Sequence, residues 1–270
     1  IKIWIQGSTG KLKGGPSLTL GVIGRLGGVG ARPEMNGLAS DADGAITALS
    51  CALKLADMRM KGSRLDGDVH ISTHICSNAP IIRHEPAAFM GAPVDMSTMS
   101  KFEVSSEMDA ILSVDTTRGN RIVKFRGFAI TPTVMQGYIL RVSDDLLDIY
   151  ERVAGGPPRV VPVTTQDLTP YENGLYHLNS ILQPACATNA PVVGVALTSE
   201  TVIPGCGTGA NQLVGVEEAT RFCIEVAKEF GGSRCSFYDP AEYEILLKLY
   251  GPMTHLCRRS GNRVHNKASI

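Results

Sequence analysis

Three acidic side chains follow two apolar, strand-like runs of this chain. Residues 18–24 lead through a glycine-rich loop to Asp41 and Asp43, and residues 111–114 end directly at Asp115. In open α/β sheets, ligands bind outside the carboxyl ends of the strands. We therefore expect Asp41 and Asp115 to share one crevice, where they hold a metal ion or a substrate ammonium group. We expect Asp43 to contact the substrate beside them.

The same aspartates also have a structural interpretation. An amphipathic helix pattern begins at Ala45, and either Asp41 or Asp43 is placed to cap it by accepting backbone N–H bonds. One cap needs one carboxylate, so the second is spare. Asp115 ends a buried run, where a carboxylate is costly unless it is paired or metal-bound. A structural, hydrogen-bonded aspartate remains the alternative at that position, and Thr116 after it is a candidate substrate contact.

Histidines beside a proline-rich segment are candidate bases. His74 ends the strand-like stretch 68–74, and His84 and Glu85 lie in a loop that is restricted by three prolines. An imidazole and a carboxylate in a rigid loop suit metal ligation or general base catalysis. Single histidines are more often surface or core residues, so the structural interpretation stays open for each of them.

The glycine-rich loops do not match nucleotide-binding motifs. Residues 24–30 depart from GxGxxG, and residues 205–209 lack the Lys-Ser/Thr of a P-loop. The second loop precedes a helix pattern, so its N–H groups and Thr208 could bind an anionic group. A tight turn is the simpler explanation.

Strand-like and helix-like segments alternate along the chain, which is typical of an α/β fold with a twisted, mixed, mostly parallel sheet and helices on both faces. We expect a single domain over residues 1–270, with 78–107 as a loop-rich insertion and 254–270 as a tail. The stretches 1–5 and 18–24 could pair as a hairpin. The remaining patterns predict helices at 45–60, 144–153, 175–182, 216–230 and 240–250, and strands at 68–74, 108–114, 121–125, 128–131, 160–163 and 191–197.

The composition excludes several classes of function. Lys+Arg and Asp+Glu both number 26, so bulk charge attracts neither nucleic acid nor an anionic membrane. The seven cysteines form no CxxC pair and are typical of reduced thiols in a cytoplasmic protein. Phe89, Met90 and Phe102 fall among predicted loops, and exposed apolar groups usually indicate partners, so we expect a homo-oligomer.

Several segments together resemble a family known as domain of unknown function 1177 (DUF1177). They cover most of the chain but bring no established activity. The resembling segments are residues 24–34, 40–44, 73–80, 113–120, 137–142, 164–167 and 174–177.

The order of strand, loop, Ser-Asp-x-x-Gly and helix is similar, more distantly, to zinc aminopeptidases of the phosphorylase/hydrolase-like fold. The resemblance implies a metal-bridging role for Asp41 and a strand-end metal ligand at Asp115. The remaining metal-ligand positions of that family are not matched, and Arg25 stands where a metal-binding histidine is implied. A guanidinium there would repel a dication and pair with Asp41, so we expect at most one zinc or manganese ion.

These features predict a hydrolase-like protein that acts on a small amide or peptide-like substrate at a degenerate metal site. His74 or His84, with Glu85, would supply acid-base catalysis. In the alternative, the chain is a non-catalytic ligand-binding or structural subunit, in which Arg25 binds a ligand carboxylate and the acidic pair binds an amine.

Overall fold

The structure is a computed structural model, and it describes most of the chain. Its described residues are 1–25, 27–28, 40–77, 81–82, 89–90, 94–117, 122–171, 173–177, 180–201 and 211–258.

Ten strands and five α-helices occur within those residues. The strands are β1 (Lys2–Ile5), β2 (Leu20–Gly24), β3 (Val69–Thr73), β4 (Ile81–Ile82), β5 (Phe89–Met90), β6 (Ala110–Thr116), β7 (Gly127–Ile130), β8 (Val134–Met135), β9 (Tyr138–Ile139) and β10 (Val192–Thr198). The helices are α1 (Asp43–Met60), α2 (Met96–Glu103), α3 (Asp144–Ala154), α4 (Leu213–Gly231) and α5 (Pro240–Tyr250).

The main sheet is mixed, as the sequence predicts. Its strand order is β1-β3-β2-β6-β10-β8-β9, and β7 also pairs with β10. The four central strands β3, β2, β6 and β10 run parallel, whereas β1, β7 and β8 pair antiparallel at the margins. Because parallel strands end at the same edge, the residues after β2, β3 and β6 come together.

The two faces of the sheet are covered differently. Val22, Ile71 and Val114 face a large apolar core that α1, α3 and α4 complete. The opposite face carries Ile23 and Ile111, which pack with apolar side chains from short 3-10 helices. Helix α2 joins this second face, because Ser72 Oγ donates to its last carbonyl, that of Glu103, at 2.7 Å. Helices therefore lie on both faces, and the strands that flank β2 are buried throughout except at Thr116, the last residue of β6.

Several predicted elements differ from the structure. Strand β1 pairs with β3, so the predicted hairpin with β2 is wrong. Residues 175–177 and 180–182 are not helical, and a 3-10 helix follows at Gln183–Cys186, where Pro184 fits a first turn. Residues 160–163 form only an isolated bridge from Val160 to Ile130, and residues 122–125 form no strand. Short apolar runs do not distinguish strands from buried loops.

The edge strand β1 is held by side chains as well as by its ladder. Trp4 lies opposite His70 of β3, and the two rings stack at 3.8 Å between centroids. Burial, with a smaller contribution from Lys2, lowers the pKa of His70 to about 4. The imidazole is therefore neutral near pH 7 and acts as an apolar stacking partner.

Candidate functional site

A buried ion-pair cluster lies at the carboxyl end of the sheet. Arg25 follows β2, its side chain is fully buried, and its Nη2 lies 2.8 Å from Oε2 of Glu103 on α2. The other oxygen of that carboxylate lies 2.5 Å from Nδ1 of His74, which follows β3. Arg25 also donates to Ser100 Oγ at 3.1 Å and to Met96 Sδ at 2.6 Å. Glu103 thus joins an arginine and a histidine that come from neighbouring strands.

Backbone contacts fix the positions of Arg25 and His74. Cys76 N–H donates to the carbonyl of Gly27 at 2.7 Å, and a Cβ at Gly27 would lie 1.7 Å from the carbonyl oxygen of His74. A Cβ at Gly44 would similarly lie 1.7 Å from the carbonyl oxygen of Arg25. Both positions require glycine because main chain approaches main chain. The glycines of the loop and of the Ser-Asp-x-x-Gly motif are therefore structural.

Asp115 lies at the end of β6 on the same face. Its Oδ2 accepts from Ser180 Oγ at 2.5 Å, and its Oδ1 accepts from the backbone N–H of Thr116 at 2.7 Å. Burial raises the pKa of this carboxyl group, although the Ser180 bond and the nearby charges of Arg25 and His74 oppose the rise. Asp115 is therefore a carboxyl group whose neutral form is favoured by its surroundings.

Tyr171 completes this side of the site. Burial, and then the negative charge of Asp115, raise the pKa of its phenol, while a hydrogen bond with Ser180 opposes the rise. Its ring stacks on His177 at 4.5 Å. Asp115, Ser180 and Tyr171 thus form a connected polar group beside Arg25.

The structure brings together some of the predicted site residues. Arg25, His74, Asp115 and Thr116 all lie at this edge of the sheet. The Arg25 guanidinium pairs with Glu103, which sequence reasoning did not predict, and the expected pairing with Asp41 stays a prediction. His84, Glu85 and Thr208 lie outside the described residues.

Asp41 and Asp43 lie at the start of α1, but neither caps it. Asp41 belongs to the 3-10 helix Ser40–Ala42, which lies against β6. The N-cap residue of α1 is Ala42, which makes no side-chain capping hydrogen bond. The Asp43 carboxylate instead accepts from Asn211 Nδ2 at 2.5 Å and from Gln212 N–H at 3.3 Å. The predicted capping role is wrong, because the 3-10 turn replaces it, and Asp43 ties α1 to the segment before α4.

Sequence reasoning missed Glu103, Ser180 and Tyr171. Glu103 lies in the stretch assigned to an insertion, but a signal for its helix was present. Asp95 is the N-cap of α2 and accepts from Thr98 N–H at 3.0 Å. The polar residues that contact Arg25 follow at helical spacing. No comparable signal marks Ser180 or Tyr171, since neither belongs to a periodic element.

Metal-binding capacity at this edge is limited. Within the described ranges, no three His, Cys, Asp or Glu side chains come together as a ligand set. His74 Nε2 is buried without a hydrogen-bond partner among those residues, and Asp115 lies near it. A carboxylate on the other ring nitrogen, as Glu103 provides, is the usual outer support of a metal-bound histidine. These two donors are fewer than a complete ligand set, and the charge of Arg25 opposes the binding of a dication beside them.

Replacing Asp115 with asparagine should stabilise the protein at neutral pH by roughly 1 kcal/mol or more. A carboxyl group whose folded-state pKa is raised stabilises fully below its unfolded pKa of about 4, and this contribution is lost as pH rises through the folded-state value. Asparagine stays neutral and can still accept the Ser180 bond. Urea unfolding at several pH values measures the difference, which should shrink towards pH 4.

The exposed Asp148 of α3 provides the matched control, since its conversion to asparagine should leave stability almost unchanged at every pH. An Asp115→Asn variant that is equally destabilised at acid and neutral pH would contradict the raised pKa.

The strand order and the strand-end cluster define an α/β protein whose candidate site lies at the carboxyl end of parallel strands. Residues 1–260 match the family described as "Protein of unknown function (DUF1177)", and the chain belongs to that family. No curated protein matches the chain by sequence.

Solved structures to which the chain is similar include three enzymes. The bottromycin maturation enzyme BotP is 15% identical with a TM-score of 0.46, over 86% of this chain and 62% of that chain. A TET aminopeptidase from a marine sediment archaeon (Thaumarchaeota) is 13% identical with a TM-score of 0.41, over 72% and 50%. The N-acetylmuramoyl-L-alanine amidase AmiC2 of Nostoc punctiforme is 12% identical with a TM-score of 0.39, over 82% and 98%.

The chain spans 43% of the length of a Clostridium acetobutylicum protein, 62% of BotP and 50% of the TET aminopeptidase. A further BotP structure has Mn bound. Among the described helices of the present chain, none has the length and apolar character that crossing a membrane requires.

Proposed function

We propose that the protein is a hydrolase that cleaves a small amide or peptide-like substrate, with His74 as the general base. The observation that carries this proposal is the His74–Glu103 pair, in which one ring nitrogen is held at 2.5 Å and the other has no partner among the described residues. A base oriented by a carboxylate and free at its second nitrogen is the arrangement that activates a nucleophile.

The first step concerns water. Glu103 accepts from the Nδ1–H of His74, which leaves the lone pair of Nε2 available. A water molecule gives its proton to Nε2 as its oxygen forms a bond to the substrate carbonyl carbon. The side chain of His74 is 20% exposed although Nε2 itself is buried, so the reacting water would have to enter along the exposed part of the ring.

The second step concerns the leaving amine. Asp115 has a raised pKa and so retains its proton more readily than an ordinary aspartate. It donates that proton to the amide nitrogen as the carbon–nitrogen bond breaks, and the imidazolium of His74 restores it afterwards. Two titratable groups in different environments, one serving as acid and one as base, are the usual basis for such assignments. The nearby guanidinium of Arg25 stabilises the Asp115 carboxylate that forms in between.

A single divalent ion, zinc or manganese, is an alternative occupant of this site in the proposal. Asp115 and His74 Nε2 would hold it with water as the remaining ligands, and the two side chains would then act as metal ligands instead of as acid and base. When bound, it would polarise the substrate carbonyl and lower the pKa of a bound water. Elemental analysis after purification without chelators should give no more than one ion per chain, and two ions would contradict the role of Arg25.

A panel of small amides tests the activity. The panel contains aminoacyl amides, N-acyl amino acids and dipeptides, each assayed for amine release with and without added Zn²⁺ or Mn²⁺. We expect turnover of at least one class, with the rate falling as pH rises through the raised pKa of Asp115, because the acid is then lost.

Binding without turnover would favour the alternative, a non-catalytic ligand-binding or structural subunit. In that alternative, the Arg25 guanidinium binds the carboxylate of the ligand. This guanidinium is buried and already paired with Glu103 of α2, so the observed contacts favour the hydrolase.

We also propose that the chain forms a homo-oligomer in the cytoplasm. Phe102 on α2 is 67% exposed, and a second copy of the chain would cover it. Light scattering at micromolar concentration should give a mass above that of one chain, and a monomer would contradict this.

A further inference from the structure

A cavity lies beside α2, next to the sheet-end cluster, and its lining includes Met96 and Ser100, which contact Arg25. It has a volume of about 840 Å³, which is within the range of small-molecule sites. Its walls are α2, the 3-10 helix Gln183–Cys186 with the turn after it, and the 3-10 helix Thr254–Cys257.

The charged groups of this cavity are all positive. Lys101 and Arg258 line it, and no aspartate or glutamate is found among its described lining residues. Amide groups of Gln183 and Asn189 and several hydroxyls supply further hydrogen-bond partners. A lining of cations, amides and hydroxyls favours a small ligand that carries carboxylates.

Two cysteines meet in the same wall. Cys186 ends one 3-10 helix and Cys257 ends the other, both are partly exposed, and both line the cavity. The Cys186 thiol donates to the Leu168 carbonyl at 3.4 Å, and the proximity of the two thiols raises the pKa of Cys186 and lowers that of Cys257. One thiol is therefore favoured as the attacking thiolate and the other as the group that reacts second.

The chain contains an internal comparison for this pair. Cys51 of α1 and Cys223 of α4 also lie close together, but both are 1% exposed in the core. Their surroundings are apolar, and the neighbouring Cys51 and then burial raise the pKa of Cys223. The two pairs differ in access and in charge environment.

We propose that Cys186 and Cys257 form a dithiol–disulfide site that is oxidised by anionic low-molecular-weight disulfides entering this cavity. The Cys257 thiolate attacks one sulfur of the disulfide RSSR, forming a mixed disulfide and releasing RS⁻. Cys186 then loses its proton and attacks the Cys257 sulfur, which releases a second RS⁻. Two protein thiols are oxidised by two electrons, and one RSSR becomes two thiols.

The oxidised form joins the two 3-10 helices covalently. Because Cys257 lies near the end of the described chain and Cys186 lies next to the cavity, the bond fixes the C-terminal segment to the cavity wall. Reduction releases that segment without disturbing the sheet.

Incubation with oxidised glutathione, followed by alkylation and peptide mapping, tests the proposal in a Cys206→Ser background, which removes the cysteine outside the described residues. We expect a Cys186–Cys257 cross-link, with Cys51 and Cys223 still reduced. Equal cross-linking of the core pair, or no cross-link between Cys186 and Cys257, would overturn the proposal.

Two single substitutions assign the order of attack. In Cys186→Ser the reaction should stop at a mixed disulfide on Cys257, which mass spectrometry detects as added glutathione. Cys257→Ser should show neither product. A mixed disulfide on Cys186 in the latter variant would refute the assignment of the nucleophile.

Comparing disulfides of opposite charge tests whether the cavity selects anionic ligands. Cystamine, a cationic disulfide, should react more slowly than oxidised glutathione, and Lys101→Gln should reduce the glutathione rate by roughly threefold to fivefold, as expected for one partly exposed charge. The difference should diminish at high salt. If cystamine and oxidised glutathione react at equal rates, both in the parent protein and in Lys101→Gln, the cavity does not select anionic disulfides and that part of the proposal is wrong.

Discussion

Replacing Glu103 with alanine is expected to lower the free energy of unfolding by about 3–5 kcal/mol. The side chains of Arg25 and Glu103 are 0% and 4% exposed, so the substitution leaves a guanidinium without its counter-ion and away from water. It also removes the partner of His74 Nδ1. Urea or guanidinium unfolding measures the loss, and the exposed Glu107→Ala serves as the control with almost no effect.

A double variant separates two contributions to the lost stability: the unpaired charge of Arg25 and the cavity that alanine leaves at position 103. Arg25→Met with Glu103→Leu removes both charges and fills the space, so it should recover most of the lost stability. If Glu103→Ala alone costs less than about 1 kcal/mol, the ion pair is not isolated from solvent as its burial indicates.

The largest expected effect on activity comes from His74. Its replacement by alanine should lower the hydrolysis rate by roughly 10²–10⁴-fold, the usual contribution of a positioned general base. The fold should persist, because the backbone around His74 is held by the Gly27–Cys76 contact rather than by the imidazole. The measurement is the rate on whichever amide the parent protein cleaves, with circular dichroism as the check of folding.

His70→Gln is the matched control for that variant. His70 lies in β3, four residues before His74, but it stacks on Trp4 instead of joining the Glu103 cluster. The control should keep a rate within a few-fold of the parent. An equal loss in both variants would indicate damage to β3, and an unchanged rate in His74→Ala would exclude His74 as the base.

The periodic elements were predictable from sequence for a physical reason. Helices α1, α3, α4 and α5 and strands β2, β3, β6 and β10 have apolar runs or helical spacing that burial imposes. The strand-end positions of Arg25, His74 and Asp115 follow from those elements, since parallel strands share a carboxyl edge.

The partners of those residues were not predictable in the same way. Arg25 finds Glu103 across 78 positions of sequence, and Ser180 reaches Asp115 across 65. Such contacts depend on how a loop or a short helix packs onto the sheet, which local pattern does not encode. The β1–β3 pairing was missed for a related reason, because nearness in sequence favoured a hairpin that the sheet order does not contain.

The stacking of Trp4 on His70 has a spectroscopic consequence. The chain contains a single tryptophan, so its intrinsic indole fluorescence arises at one place, the outermost pair of strands. Emission will report whether β1 is attached to β3, independently of the helices on the faces. Comparing it with far-ultraviolet circular dichroism during unfolding distinguishes peeling of one strand from loss of the whole domain.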